Sequence, residues 1–215
     1  MPLRLPLLPL LCSLLFACGD GLEQREETDA LGHRLVWKVD PETELRQGLA
    51  QEFDARGRLL TEEFYRDGNL HGERKLFLPD GQVEVLENYV DGRFEGDYLN
   101  YDSLGRVSLK GQYVEGAMNK AWYLYYPNGK VREVVTFVDN EENGPFREWY
   151  PDGKPKASGE YREGDNEDGL LHLYAETGGL ERVLRCSMKL CNTVWTPDST
   201  GVAPKGADMT MPGEH

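Results

Sequence analysis

The sequence is poor in residues that do chemistry and has no apolar run long enough to span a bilayer. Its 215 residues include 4 Cys and 4 His. His33, His71, His172 and His215 are scattered, with no HExxH and no Cys or carboxylate at ligand spacing, so no metal site is expected. No Gly-x-Ser-x-Gly elbow occurs, and no glycine fingerprint opens a helix to receive a phosphate. Adjacent acids such as Glu62 and Glu63 would point to opposite faces of a strand, which separates them for acid–base work. Neither an enzyme nor a cofactor is expected. Positive charge is also short, with 24 Lys and Arg against 38 Asp and Glu and a net charge of -14. Such a chain repels phosphate backbones, which excludes nucleic acid as a partner.

The one long apolar stretch, Leu5 to Phe16, falls well below the roughly 20 residues a membrane-spanning helix needs. It follows Arg4 and precedes Ala17 and Cys18, the layout of a secretory signal. Leu15-Phe16-Ala17-Cys18 resembles the lipobox of bacterial lipoproteins. That resemblance implies a signal peptide over residues 1–17 and lipidation of Cys18 as the first mature residue. It also implies a membrane-anchored protein on the periplasmic or cell-surface side. Gly19, where an Asp would favour the inner membrane, points to the outer one. Residues 18–30 read as an acidic tether and residues 196–215, with three Gly and no aromatic residue, as a disordered tail. Cys186 and Cys191 are then the cysteines left for a disulfide in an oxidising compartment.

Glycine and tyrosine are plentiful, 24 and 11 residues, and they recur in register. Gly57, Gly81, Gly105, Gly129 and Gly153 stand 24 residues apart. Tyr65, Tyr89, Tyr113, Phe137 and Tyr161 keep the same period, as do Phe53, Phe77, Tyr101, Tyr125 and Trp149. Further columns hold Gly68, Gly92, Gly116 and Gly164, with Asn140 in the gap, and Gly48, Gly72, Gly96 and Gly144, with Lys120 as the exception. A last copy runs from Gly169 to Gly179 with two extra residues, and residues 29–34 echo 54–58. Within a unit, Ala121 to Tyr126 reads as an aromatic strand, Pro127-Asn128-Gly129 as a bulged hairpin loop, and Val131 to Phe137 as a β-branched strand. A longer turn over Val138 to Asn143 is expected to lead into the next unit. The fold class is thus all-β: over residues 31–195, an elongated single-layer antiparallel meander of about 12 strands, two per repeat.

The run Tyr-x-x-Gly, a further Gly, then aromatic-aromatic-Pro-Asp/Asn-Gly-Lys resembles the MORN-repeat variant of bacterial secreted proteins and lipoproteins, grouped as the YwqK-like antitoxin family, over about residues 46–180. The resemblance implies a scaffold or adaptor near a membrane. Tyr101, Trp122, Tyr123, Tyr125 and Trp149 are the candidate binding surface, against the plainer alternative of cross-strand packing. Acids at Asp139, Glu142, Asp165 and Asp168 lack the alternating order of a calcium loop and read as solvated hairpin tips. The functional expectation is a lipid-anchored protein binder whose partner is an unidentified protein. An antitoxin or immunity role is the alternative within binding, and a cell-wall glycan-binding or glycan-active protein the alternative from another class. The last would need two carboxylates facing each other across an aromatic groove.

Overall fold

The computed structural model describes residues 21–210. Cys18 and the signal segment 1–17 lie outside the described residues, as do residues 211–215.

One loop recurs along the chain. The Gly57 amide donates to the Asp54 carbonyl and the Asp54 amide to the Arg58 carbonyl, and the same pair of bonds closes the loops at Gly81, Gly105, Gly129 and Gly153. These five glycines have φ of +72° to +92°, which makes the loop a type I turn completed by a left-handed glycine bulge. Pro at the second position fixes φ in the loops 78–81, 126–129 and 150–153. Where Pro is missing, Asp54 and Asp102 do the equivalent work, each accepting the amides two and four residues on through Oδ1. Asp29 does the same before Gly32, whose φ is +84°, so the sequence echo at 29–34 is a full loop. At the other end Gly178, with φ of +95°, is the loop glycine. The expected equivalence with Gly179 is corrected by one position, since the turn around 163–166 absorbs a single extra residue.

The alternate turns are tighter than expected. Asp139 and Asn140 both have positive φ, and Val138 pairs directly with Glu141, so this connection is a two-residue type I′ turn and not a longer loop over 138–143. Asp67/Gly68, Asp91/Gly92 and Glu115/Gly116 repeat it. Both central residues need φ above zero. Asn140 tolerates that state where the other copies carry Gly.

Seventeen strands follow from these turns among the described residues. They are β1 Glu23–Thr28, β2 Arg34–Val39, β3 Gly48–Phe53, β4 Leu59–Arg66, β5 Asn69–Leu70 and β6 Gly72–Phe77. Next come β7 Val83–Val90, β8 Arg93–Phe94, β9 Gly96–Tyr101, β10 Val107–Val114, β11 Ala117–Tyr125 and β12 Val131–Val138. The last are β13 Glu141–Trp149, β14 Pro155–Tyr161, β15 Glu167–Tyr174, β16 Leu180–Ser187 and β17 Leu190–Trp195. Strands pair antiparallel with the next along the chain in one open sheet, except that β5 and β6 both pair with β4 and β8 and β9 both pair with β7. The expected dozen is exceeded because the degenerate end copies around Gly32 and Gly178 form full hairpins and for two further reasons. A positive φ at Gly72 and Gly96 breaks one strand into β5/β6 and another into β8/β9. The segment taken as a tether is also β1, fully paired with β2 from Glu23↔Val39 to Thr28↔Arg34. Its charges suit a sheet edge: Arg25 lies 2.6 Å from Glu44 and Arg34 3.3 Å from Glu26.

Cross-strand partners trace one continuous row over the sheet: Gln51, Glu62, Lys75, Leu86, Leu99, Lys110, Tyr123, Val134, Arg147, Ser158, His172, Val183 and Trp195. Side chains alternate between faces along a strand, so this row and the column Phe53, Phe77, Tyr101, Tyr125, Trp149 share one face. Tyr65, Tyr89, Tyr113, Phe137 and Tyr161 share the other. The two sequence columns therefore build the two faces of a one-layer sheet.

Gly129 has open space around the position of an added Cβ, and its φ is +81°. Gly129→Val is therefore expected to lose about 1–2 kcal/mol from left-handed strain alone, measured by urea unfolding. Lys130→Ala, which removes an exposed 2.6 Å bond from Nζ to the Asp152 carbonyl, should lose less.

Candidate binding surface

On the face of Tyr65, Tyr89 and Tyr113, aromatic rings contact one another from repeat to repeat. Tyr89 lies 4.5 Å from Phe94, Phe94 4.7 Å from Tyr113, Tyr113 5.3 Å from Trp122, and Trp122 6.0 Å from Phe137. Phe146 stacks on Tyr161 at 4.4 Å. Two strand glycines make room for this ladder. A Cβ on Gly111 would sit 2.0 Å from the Trp122 ring, and one on Gly159 2.8 Å from Phe146. Towards the N-terminal end the ladder gives way to charge: Arg74 donates to Glu63 at 2.8 Å and Glu87 at 3.1 Å, and Tyr65 and Tyr89 donate to the same two carboxylates. Burial, then Glu87, pushes the Tyr89 hydroxyl up to about 12.

The opposite face is crossed by the C-terminal segment, and here the expected disordered tail is corrected. Residues 201–209 run back over the strands from β17 to β13. The Trp195 indole Nε1 donates to the Gly201 carbonyl at 3.3 Å, His172 Nε2 to the Pro204 carbonyl at 3.1 Å, and Trp149 Nε1 to the Met209 carbonyl at 3.1 Å. Met209 packs on the cluster of Val131, Val134 and Trp149. Gly206 lies flat on His172, where a Cβ would come 3.0 Å from the ring. The segment lacks aromatic side chains of its own, but the sheet supplies them, and ring N–H groups hold the strap by its carbonyls.

This arrangement divides the expected binding residues. Trp122 is 2% exposed and Trp149 fully buried, so both are core residues and are corrected out of the contact surface. Tyr101, Tyr123 and Tyr125 remain half-buried on the strap's face. Beside Tyr123, a shallow cleft of about 230 Å³ is lined by Lys110, Gly111, Gln112, Lys120 and Ala121. Lys120, the exception in its glycine column, holds φ of +64° with its Nζ 2.8 Å from Gln112. A second cleft of about 340 Å³ opens between the strap and Pro145, Ser158, Glu160, Leu170 and His172. Under the strap, Arg147 Nε and Ser158 Oγ are buried with no hydrogen-bond partner.

The sheet end is closed covalently: Cys186 and Cys191 are direct cross-strand partners joined by a disulfide. The acidic tips are paired with protein groups, Asp165 with Lys189 at 2.7 Å and Asp168 with Arg162 at 3.0 Å. Among carboxylates, Glu133 and Glu148 are cross-strand neighbours on the ladder face, side by side and not across a groove, and Glu148 is ion-paired with Lys156. Burial first, and then Glu148, raises the Glu133 carboxyl above its ordinary range. A carboxyl with a raised folded pKa weakens folding once it ionises and is relieved as pH falls through that pKa. Glu133→Gln should therefore raise Tm at pH 7, and the gain should vanish below about pH 4, where an unperturbed carboxylate is already protonated.

Residues 70–91, 118–139 and 142–163 match the MORN repeat variant. No curated protein matches the chain. Among solved structures, a porin-like protein from Bacteroides uniformis is similar at 8% identity over 80% of this chain and 92% of that one, with a TM-score of 0.21, too low to bear on fold or function. The three matched stretches begin 48 and 24 residues apart, in step with the hairpins of the sheet, so the likeness to the MORN repeat variant and the 24-residue hairpin period coincide over those stretches.

Proposed function

We propose that the protein is a non-enzymatic scaffold or adaptor that binds another protein through the sheet face carrying Tyr101, Tyr123 and Tyr125. The observation behind this reading is that a one-layer sheet has two faces bearing aromatic rows and, among the described residues, one short strap. Over β12 to β17 the strap covers the row residues, with Val134, Ser158, His172 and Val183 all buried. Over β7 to β11 the same row, Leu86, Leu99 and Tyr123, stays partly exposed beside the cleft at Lys110. Half-buried aromatics next to a cleft are the kind of surface that protein partners bury.

Capture from a membrane extract by the full chain, with mass spectrometry, tests it. Tyr123→Ser and Tyr125→Ser should reduce capture of the same partner at least tenfold, and Leu104→Ser in an exposed turn should not. Equal capture by all variants, or none by the wild type, contradicts the reading.

The anchor belongs to the same proposal. With Cys18 lipidated, the sheet would sit at a membrane surface on the extracytoplasmic side. Cys18→Ser should shift the protein from the membrane to the soluble fraction or leave it unprocessed, and a processed mutant that still sediments with membranes would refute the anchor.

A further inference from the structure

We propose that the groove across β13, β14 and β15 is a recognition site for a peptide segment, filled in cis by residues 203–209 and open in trans to a partner segment of the same chemistry. This rests on the reading that the sheet face binds protein.

The strap sits as a ligand does. Among the described residues it makes no main-chain bond to the main chain of a strand. It is held by carbonyls bonded to ring N–H groups of His172 and Trp149, by Gly206 against His172, and by Met209 against Val131, Val134 and Trp149. Few contacts and no ladder bonds place it among the least stable parts of a fold.

The groove also offers more than the strap takes. Ser158 is 1% exposed and its Oγ unpartnered, and Arg147 Nε beside it is likewise buried and unpartnered. Buried polar groups are ordinarily satisfied, and while the Arg147 charge already acts on Asp208 of the strap, the Ser158 hydroxyl suits an occupant with a polar group at that point. The open cleft of about 340 Å³ between Ser158, His172 and the strap leaves room for one.

The chemistry of that occupant follows from the contacts. A residue without a side chain fits best on His172, because a Cβ there would meet the ring at 3.0 Å and the ring is 3% exposed, with little room to give. Three residues later an unbranched apolar side chain must reach Trp149, as Met209 does. The carbonyls that the sheet reads are those of Pro204, two residues before the glycine, and of Met209 itself. The partner segment is therefore of the type Pro-x-Gly-x-x-Met, with an unbranched apolar residue at its last position.

The test uses the full chain and a fluorescent peptide spanning residues 201–210. Gly206→Val should unseat the strap while leaving every strand untouched, and Met209→Ser is a second variant with the same purpose. In the wild type the tethered strap competes at an effective concentration on the order of millimolar, so peptide binding should be weak. Both variants should bind the peptide at least tenfold more tightly. The Trp149 indole N–H should exchange at least tenfold faster in them and be re-protected by peptide. An unrelated peptide keeping only Pro-x-Gly-x-x-Met should bind as well, and the peptide with Val in place of its Gly should not. Equal affinity of wild type and variants, binding of the Val peptide, or an unchanged Trp149 indole would overturn the site. No partner enters this measurement, so its failure leaves the uncovered face untouched, and failure of partner capture leaves the groove standing.

Discussion

Trp149→Ala should lose about 3–5 kcal/mol of stability, the range for truncating a large buried aromatic residue, and should release the C-terminal strap in the same step. Trp149 is fully buried, packs between Val131 and Val134, and carries the Nε1–H that binds the Met209 carbonyl. The cavity left on the sheet faces Met209, so the strap loses an apolar neighbour and an anchor together. Because stacked repeats hold one another mainly through nearest neighbours, damage should centre on β11 to β14 and spare β2 to β6. Urea unfolding gives the size of the loss, and amide exchange over residues 205–210 the release. A loss under about 1 kcal/mol, far below the usual cost of such a cavity, with the strap still protected would contradict the packing.

Gly111→Ala should be nearly as damaging for the opposite reason. The new Cβ would fall 2.0 Å from Cδ2 of Trp122, and the ring has little freedom to retreat, being 2% exposed and packed against Tyr98, Tyr113 and Phe137. Overpacking of this kind costs about 1–3 kcal/mol. In a Trp122→Ala background the penalty should disappear or reverse, because glycine inside a strand is otherwise the poorer choice. The double-mutant cycle thus isolates the Gly111–Trp122 contact. Additive losses would show that the ring does not lie on the glycine.

These two sites mark how far the amino-acid order can be read unaided. The loop glycines were legible because a left-handed φ is a local demand, and it returns wherever the loop returns. The two aromatic columns were legible as periodic, yet their division between opposite faces emerges only with the strand register. Trp122 and Trp149 look like surface candidates by type. They are buried because Gly111 admits one ring and the strap covers the other. Gly111 recurs only as Gly159, two periods on, too sparse to mark a column, and its signal is the pairing of a strand glycine with a bulky aromatic on an adjacent strand. The strap was the least legible part. Its composition is that of a disordered tail, and what orders it are N–H groups of Trp149 and His172, 60 and 32 residues back along the chain. The segment before residue 30 was misread for a similar reason, since its Glu26 is answered by Arg34 and its Arg25 by Glu44, both on other elements.

The account stands on a single row of residues crossing a one-layer sheet with a 24-residue period, and residue-resolved amide exchange on the native chain tests it most directly. The slowest amides should cluster around Glu62, Leu86, Lys110, Val134 and Ser158, each 24 residues from the last, with the loops at Gly57, Gly81, Gly105, Gly129 and Gly153 opening fastest between them. Protection without that period, or confined to one contiguous block, would contradict the repeat sheet and the binding face built on it.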